Sequence, residues 1–395
     1  MIETRFKQTE LGLIPEDWEV CKIGDFTDIV TGATPSTENP DYWNGHIRWM
    51  NSSELNNKII FEVHGRISKK GYDSASTHML PTNCVLIGLA GQGKTRGTAA
   101  INKVELCTNQ SIGAILPSEN IDSDYLYLYM DSQYQNLRTI SSGDGGRGGL
   151  SKTLLLNFEV VKPNDIGEQK LVAEALNDTD KLVCELNTLI GKKRAIMQGA
   201  MQELLTARRR LPGFNKPWKE EIVDNICIRF DNLRIPVAEN LRKKGNIPYY
   251  GANGIQDYVD GFTHDGEYIL LAEDGANNLV DYPIRYVKGK IWVNNHAHVL
   301  QGKPNKADTR YLSYGLKTID FESNIVGNGR AKLNAKTLMD LRVIIPSTIE
   351  EQIAIAEVLS DMAAEIETLE SKKDKYIAVR QGMMQQLLRG KIRLI

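Results

Sequence analysis

Two long segments of this chain share one sequence pattern, and they lie 183 residues apart. Residues 166–207 align without a gap with residues 349–390, and the shared pairs include Glu168-Gln169 with Glu351-Gln352. From Val172 and from Ile355, one set of positions recurs at alternating spacings of four and three residues, and we call these the seam positions. Most of them are apolar, although the second seam becomes polar later. This spacing predicts two long helices, each with a coiled-coil seam. The repeat constrains the fold strongly, because both copies must adopt the same local structure.

Start signals precede both predicted helices. Pro163 and Pro346 come just before them, Asp165 is a candidate N-cap, and Thr348 with Glu351 forms a capping-box pattern. Gly199 and Gly382 occupy matching positions inside the helices, where glycine costs about 1 kcal/mol relative to alanine. We therefore expect the two helices to approach closely at these glycines.

The repeat extends beyond the helices and is circular. Upstream, Arg147 aligns with Arg330; downstream, residues 208–211 align with residues 391–394. The second helix thus ends where a globular segment would begin, and the N-terminal segment fills that place. The segments between the helices contain short β-like runs with Gly and Asn turns. We predict an α+β fold with an internal pseudo-two-fold repeat, in which two mixed α/β domains, residues 1–155 and 208–340, are joined by helical segments 163–207 and 346–392 that form an antiparallel coiled coil.

Composition limits the classes of function. The 395 residues carry a net charge of −2, so no broadly basic surface is expected, and any DNA-binding charge must be local. None of the five cysteines forms a CxxC pair, which favours reduced thiols over disulfides or zinc. No stretch is long and apolar enough for a membrane span. We expect a cytoplasmic protein without a membrane segment, a metal or a cofactor.

Seven segments together resemble the specificity subunits of type I restriction–modification enzymes. They cover essentially the whole chain, in the usual order of that family: LGLIPEDWEV (11–20), TGATPSTENPDYWNGHIRWM (31–50), GDGGRGGLSKTLL (143–155), YYGANGIQDYVDG (249–261), YILLAEDGAN (268–277), WVNNHAHVL (292–300) and the PxxIxEQxxIAxxL pattern at 346–359.

The resemblance implies a DNA-recognition subunit with no catalytic site of its own. Each globular segment would be a target-recognition domain that reads one half of a bipartite, asymmetric site in double-stranded DNA. The helices would set the spacer and dock methyltransferase subunits, with two copies expected, and two restriction subunits would then join. An alternative is a coiled-coil scaffold whose globular segments bind other proteins.

A second alternative comes from residues 88–95, GLAGQGKT, which fit the GxxxxGK[ST] phosphate-binding loop. That motif needs a helix directly after it, because amides at the helix N-terminus hold the phosphate. Here a strand-like AAINKVEL follows instead. We prefer a glycine-rich turn that brings Lys94 and Arg96 to DNA phosphates, with a purely structural hairpin as the other possibility.

The candidate DNA contacts are residues whose side chains suit base edges or phosphates. Arginine suits phosphates and guanine, amides suit adenine, and lysine suits phosphates. Each has a structural alternative, such as a turn cap or an ion pair, and His296 with His298 lacks a third ligand at a spacing typical of a metal site. The candidates are Gln92, Lys94, Arg96, Asn109, Gln110, Arg147, Asn277, Asn295, His296, Arg330 and Lys332. The basic runs 192–194 and 208–210 are either further phosphate contacts or charged helix surface.

Overall fold

The computed structural model describes residues 5–91, 94–141, 149–324 and 332–395. The chain divides into two compact units, which we call unit 1 (Met1–Glu185 with Lys372–Ile395) and unit 2 (Leu186–Ser371). The boundary between the units falls inside both long helices. Each unit therefore contains one part of each helix.

Unit 1 is built around a five-stranded sheet. The strands of unit 1 are β1 (Phe6–Thr9), β2 (Gly12–Pro15), β3 (Trp18–Lys22), β4 (Ile29–Thr31), β5 (Trp43–Met50), β6 (Ile59–Ile60), β7 (Arg66–Ile67), β8 (Val85–Gly88), β9 (Ala99–Asn102), β10 (Cys107–Thr108), β11 (Ile112–Ile115) and β12 (Glu159–Pro163). The main sheet has the order β4-β11-β8-β9-β6, and β10-β5-β7 form a second sheet. Every residue of β8 is buried, as expected for a central strand made of a continuous apolar run.

Short helices cover this sheet and lead into the first long helix. They are α1 (Ile23–Phe26), α2 (Lys69–Ser74), α3 (Ser123–Ser132), α4 (Tyr134–Ile140) and α5 (Lys152–Leu156), with 3-10 turns at Pro40–Tyr42 and Ser52–Asn57. Strand β12 pairs antiparallel with β3 and is followed directly by α6 (Ile166–Leu204).

Unit 2 contains a six-stranded sheet. The strands of unit 2 are β13 (Lys219–Ile222), β14 (Cys227–Arg229), β15 (Lys244–Gly251), β16 (Gly254–Val259), β17 (His264–Ala272), β18 (Ile284–Val293), β19 (Ala297–Gly302) and β20 (Arg342–Ile345). The sheet order is β14-β19-β17-β18-β15-β16, and only the β15–β18 pair is parallel. The helices are α7 (Val223–Ile226), α8 (Thr309–Gly315), α9 (Ala335–Asp340) and α10 (Ile349–Leu387), with 3-10 turns at Asp231–Leu233, Glu239–Leu241, Leu316–Thr318 and Glu322–Asn324.

The two long helices confirm the prediction from the repeat. Each has 39 residues, and both bounds of α10 lie 183 positions after those of α6. The seam positions are buried or half-buried throughout both helices. The helices pack antiparallel within each unit: Thr179 contacts Met383 in unit 1, and Lys193 pairs with Glu365 at 2.7 Å in unit 2.

One prediction about the helices is wrong. A Cβ atom built on Gly199 or Gly382 would meet no described atom within 4 Å, so neither glycine marks a close approach. The shared glycines face open space, and their cost in helix propensity has no compensating contact there.

The Glu-Gln pair that recurs at the start of both long helices fastens each helix to its unit. Glu168, 1% exposed, accepts a hydrogen bond from the Trp18 indole at 3.3 Å and forms an ion pair with Arg393. Its neighbour Gln169 donates to the Pro163 carbonyl at 2.8 Å and accepts from the Asp122 amide at 2.7 Å.

Unit 2 repeats these contacts with its own residues. Glu351 accepts from the Trp218 indole at 3.2 Å and pairs with Arg210 at 2.6 Å. Gln352 donates to the Pro346 carbonyl at 3.0 Å and accepts from the Asp308 amide at 2.8 Å. The predicted capping box at Thr348 is therefore half formed, because the Glu351 carboxylate binds Arg210 and Trp218 instead. Arg210 is engaged by the helix and is not a free phosphate contact.

The circular arrangement predicted from the repeat is present in unit 1. Arg393, which matches Arg210, binds Asp17 at 2.8 Å as well as Glu168, and the pKa of Asp17 is lowered chiefly by that hydrogen bond. Leu387 and Leu388 pack into the core of unit 1, whereas their counterparts Leu204 and Leu205 pack into the core of unit 2.

Candidate nucleic-acid interface

Three segments meet at one end of the central sheet in unit 1. The Leu89 amide, just after β8, donates to the Ser111 carbonyl at 2.8 Å, and the Leu89 carbonyl accepts from the Leu150 amide at 2.9 Å. These two bonds join the loop after the central strand, the turn before β11 and the segment that leads into α5. We call the described residues 89–98, 109–111 and 149–150 the loop end of unit 1, a position typical of recognition residues on a rigid scaffold.

Unit 2 has the same three-segment frame. The Glu273 amide donates to the His296 carbonyl at 2.9 Å, and the Glu273 carbonyl accepts from the Leu333 amide at 2.8 Å. Glu273, His296 and Leu333 thus occupy the places of Leu89, Ser111 and Leu150. Residues 273–283, 294–296 and 332–333 form the loop end of unit 2.

The turn before β11 in unit 1, and its counterpart before β19 in unit 2, each contain one amide side chain that is structural and one that is exposed. The Asn109 side chain accepts from the Ser111 amide at 3.1 Å, and Asn294 accepts from the His296 amide at 2.8 Å. Asn109 therefore satisfies turn backbone, which was the structural alternative for that residue. The residue after each, Gln110 and Asn295, is exposed.

Most other candidates in these loops also have protein partners. Gln110 accepts from the Thr34 hydroxyl at 2.6 Å. His296 Nδ1 lies 2.6 Å from Asp274 Oδ1, and the backbone N–H of Asn277 donates to the Asn253 side chain at 3.1 Å. Gln110, Asn277 and His296 are nevertheless exposed, so their remaining polar edges face solvent.

Lys94 and Arg96 lie in a hairpin, not in a phosphate-binding loop. Strands β8 and β9 pair antiparallel, and the described residues after Lys94 turn directly into β9 without forming a helix. The Lys94 carbonyl accepts from the Tyr134 hydroxyl at 3.0 Å and from Thr98 Oγ1 at 2.8 Å. This geometry removes the helix that the nucleotide-binding alternative requires.

Three candidates lie outside the described residues: Gln92, Arg147 and Arg330. The described residue Lys332 is close to two of the polar groups in unit 2, forming an ion pair with Glu273 at 3.2 Å and a β-bridge with Asp274. Lys332 thus forms an ion pair, which was the structural alternative to a DNA contact. Its side chain is still 54% exposed.

A charged cluster supports the loop end of unit 2. His298 is fully buried, with Nδ1 2.6 Å from Asp231 and Nε2 2.8 Å from the Leu333 carbonyl. Arg234 pairs with Glu273 at 2.8 Å and donates to the Ala297 carbonyl at 2.8 Å. The cluster therefore connects the turn that carries Asn295 and His296 to the segment at Leu333.

The pKa values of both acids in this cluster lie below their ordinary range. Burial raises the pKa of Asp231, but the hydrogen bond and charge of His298 and the nearby Arg234 lower it more. Burial likewise raises the pKa of Glu273, and Arg234, His298 and Lys332 outweigh that effect. Both acids are therefore ionised at neutral pH and act as anchors for cations.

The same cluster is the only group of possible metal ligands among the described residues, formed by Asp231, Glu273 and His298 within 4.8 Å. The donor set does not suit a metal. Arg234 and Lys332 already neutralise the carboxylates, and His298 Nδ1, the ring nitrogen that faces them, lies within hydrogen-bonding distance of Asp231, at 2.6 Å. The cluster is an ion-pair network. Sequence patterns did not identify it, since Asp231, Glu273 and His298 are 25 to 67 residues apart in the chain.

The basic run at 192–194 lies on the helix pair. Lys193 pairs with Glu365 and Arg194 pairs with Glu370, both across to α10. The interpretation as charged helix surface is therefore supported for both residues.

None of the five cysteines forms a disulfide in the structure; three are buried, and Cys184 is exposed. Among the described residues, the longest helices remain too polar to cross a lipid bilayer.

Comparison with known proteins identifies the family. Residues 15–196 and 215–377 each match the type I restriction modification DNA specificity domain. These two matches cover most of the chain, so it belongs to that family and carries two copies of the domain. Specificity subunits are the non-catalytic components of type I systems, which agrees with the prediction that this chain is not an enzyme.

Relatives support the same assignment at different lengths. A putative type I restriction enzyme specificity subunit of Haemophilus influenzae is 42% identical over 154 residues, which cover only 39% of each chain. A putative specificity subunit of Methanocaldococcus jannaschii is 22% identical and aligned over 99% of this chain and 97% of its own. The matched segment thus spans about two fifths of the first relative, whereas the second aligns almost from end to end.

Solved structures confirm the fold. The type I restriction–modification S subunit of M. genitalium superposes with a TM-score of 0.67 over 98% of this chain and 99% of its own, at 16% identity. The HsdS subunit of Thermoanaerobacter tengcongensis gives a TM-score of 0.52 over 96% and 98%, at 14% identity. At these identities the likeness concerns the fold alone.

Proposed function

We propose that this chain is the DNA-recognition subunit of a cytoplasmic type I restriction–modification complex, and that each unit reads one half of a bipartite, asymmetric DNA site. The observation that carries this proposal is the loop end. Its backbone frame is the same in both units, whereas its side chains differ: Ser111 stands where unit 2 has His296, and Leu89 where it has Glu273. A common frame with different side chains suits two domains that read different base sequences.

DNA recognition requires two kinds of contact: phosphate contacts that position each unit on the duplex, and base contacts that read the sequence. Lys94 and Arg96 in unit 1 and Lys332 in unit 2 supply positive charge for phosphates, which gives affinity that falls with salt. Gln110 and Asn295 present amides, which can bond adenine bidentately, and His296 presents a ring nitrogen to a base edge. Gln92, Arg147 and Arg330 belong to the same proposal, whereas Asn109 contributes by shaping its turn.

We propose that the long helices set the length of the spacer between the two half-sites and dock the other subunits. Leu189 and Ile196, on the part of α6 that lies in unit 2, are 39% and 56% exposed and are seven residues apart. Seven residues are close to two helical turns, so these side chains lie in one row. We propose that methyltransferase subunits, two per complex, dock on the helices and that two restriction subunits then join.

A domain exchange tests the proposal. Residues 13–150 are replaced with those of another specificity subunit, and the methylated motif is determined by methylome sequencing in cells that also carry the matching methyltransferase. We expect one half of the motif to change and the other to stay the same. The control exchanges residues 213–335, which we expect to change only the other half. An unaltered motif after both exchanges contradicts the proposal.

The interaction-scaffold alternative makes a different prediction. It expects the assembled complex to lack sequence-selective DNA binding and to capture proteins other than methyltransferase subunits. Electrophoretic mobility shift with duplexes that contain or lack the motif separates the two. Equal binding of both duplexes at 150 mM salt favours the scaffold.

A further inference from the structure

A polar cavity of about 320 Å³ lies beside the loop end of unit 2. Its wall is rich in amides and cations: Asn253, Asn277, Asn278, Arg285 and Lys317 line it, and Asp281 is its single acidic residue. Amide and guanidinium groups are the side chains that read base edges in the major groove.

The asparagines of the cavity are held in place by backbone contacts. Asn253, in the β15–β16 turn, donates to the Gly275 carbonyl at 2.9 Å and accepts from the Asn277 amide at 3.1 Å. Asn278 accepts from the amides of Val280 and Asp281 at 2.9 and 3.0 Å. The β15–β16 turn and the loop after β17 are therefore joined into one wall.

Arg285, on β18, is held against this wall while it remains exposed. Its Nη2 donates to the Asn253 carbonyl at 3.2 Å. A Cβ atom on Gly254, where φ is +125°, would lie 3.2 Å from Arg285 Nε, so the absent side chain makes room for the guanidinium. Contacts at Asn253 and Gly254 thus orient the guanidinium group.

The charge of Arg285 is not neutralised by a neighbour. Arg210, Arg234 and Arg242 of unit 2 each pair with a carboxylate. Arg285 and Lys317, in contrast, form no ion pair with any residue in the ranges that the structure describes. An oriented and uncompensated arginine is suited to an external acceptor.

Unit 1 has no equivalent of this arginine. In unit 2, Leu271 on β17 pairs with Ile284 on β18. In unit 1, Ile87, at the equivalent point of β8, pairs with Ala99 on β9. Arg285 therefore corresponds to Ala100, which is fully buried. The cavity belongs to the part of the fold that differs between the units.

We propose that Arg285 is a specificity-determining residue of unit 2 that reads a guanine edge, and that Lys317 contacts a phosphate nearby. This inference rests on the proposed function. Guanine offers O6 and N7 side by side, which match the two parallel donors of an oriented guanidinium. A phosphate needs no such orientation, and the flexible Lys317 suits it.

The experiment measures binding of the assembled subunit–methyltransferase complex to a set of duplexes. Each duplex has one base pair of the unit 2 half-site replaced, and a second set does the same for the other half-site. Arg285→Ala is compared with Lys288→Ala, a control on the same strand whose exposed lysine pairs with Glu267. Thermal unfolding confirms that both variants are folded.

We expect Arg285→Ala to reduce the preference for guanine at one position of the unit 2 half-site by about tenfold or more. Preferences elsewhere in that half-site and throughout the other half-site stay as in the unaltered chain. Lys317→Ala weakens binding to all duplexes alike and reduces the salt dependence by about one phosphate contact.

Two results overturn the inference. Arg285→Ala with no effect shows that the guanidinium does not contact DNA, and a uniform loss with a reduced salt slope shows a phosphate contact instead of base reading. Both are distinguishable from failure of the proposed function, because the exchanges of residues 13–150 and 213–335 test that function without reference to Arg285.

Discussion

At the scale of residues, two buried glutamates determine how the helices attach. Glu168 and Glu351 are each 1% exposed, and each binds one tryptophan and one arginine. A buried carboxylate left without its cation costs more than the pair contributes, because the desolvated charge remains. The attachment therefore depends on both members of each pair.

Arg393→Met should lower the free energy of unfolding of unit 1 by about 3 kcal/mol, since it leaves Glu168 unpaired. Denaturant titration measures the effect. Arg389→Met, at an exposed position of the same segment, is the control. Adding Glu168→Gln to Arg393→Met should restore part of the loss, and equal stability of single and double variants would contradict the ion-pair account.

The charged cluster of unit 2 predicts a pH dependence. Asp231 and Glu273 have folded pKa values below their ordinary 3.8 and 4.5, so their contribution is complete above about pH 4.5 and is lost as pH falls through the lowered values. We expect the unfolding midpoint in urea to decrease as the pH is lowered below about 4.5. Asp231→Asn should be less stable at pH 6 and show a shallower fall; an identical slope would argue against the assignment.

At the scale of elements, the helices were predictable and their attachments were not. The seam and the equal helix bounds follow from spacings that are local in the sequence. The role of Glu351 was not predictable, because a local capping pattern with Thr348 competes with Arg210 and Trp218, which are 141 and 133 residues away. Asn109 and Gln110 show the same limit: only the hydrogen bond to Ser111 separates the structural amide from the exposed one.

The helix glycines provide a test at this scale. Gly199→Ala and Gly382→Ala should each stabilise the protein by about 1 kcal/mol, because alanine is the better helix former and space is open at both sites. Thermal or denaturant unfolding measures the gain. Gly390→Ala is the matched contrast, since Gly390 has φ +64° and a Cβ there would lie 2.5 Å from Pro15. We expect that variant to be destabilised.

At the scale of the whole molecule, the proposed spacer function predicts an effect of helix length. Seven residues inserted after Glu185 in α6 and after Ser371 in α10 add about 10.5 Å to each helix. At about 3.4 Å per base pair, the spacer of the methylated motif should lengthen by about three base pairs while both half-sites stay the same. Methylome sequencing reads the result directly. Inserting the heptad in α6 alone is the control, and it should disrupt the helix pair.

The division of the chain between the units has a consequence for synthesis on the ribosome. Unit 2 is one continuous stretch, Leu186–Ser371, whereas unit 1 also needs Lys372–Ile395. Until those residues emerge, Leu387 and Leu388 are missing from the core of unit 1, and Glu168 lacks Arg393. The domain that is translated first is therefore completed last, which reverses the usual N-terminal-first order of folding. Once the chain has emerged from the ribosome as far as residue 371, its second recognition domain is complete, whereas its first still lacks residues 372–395.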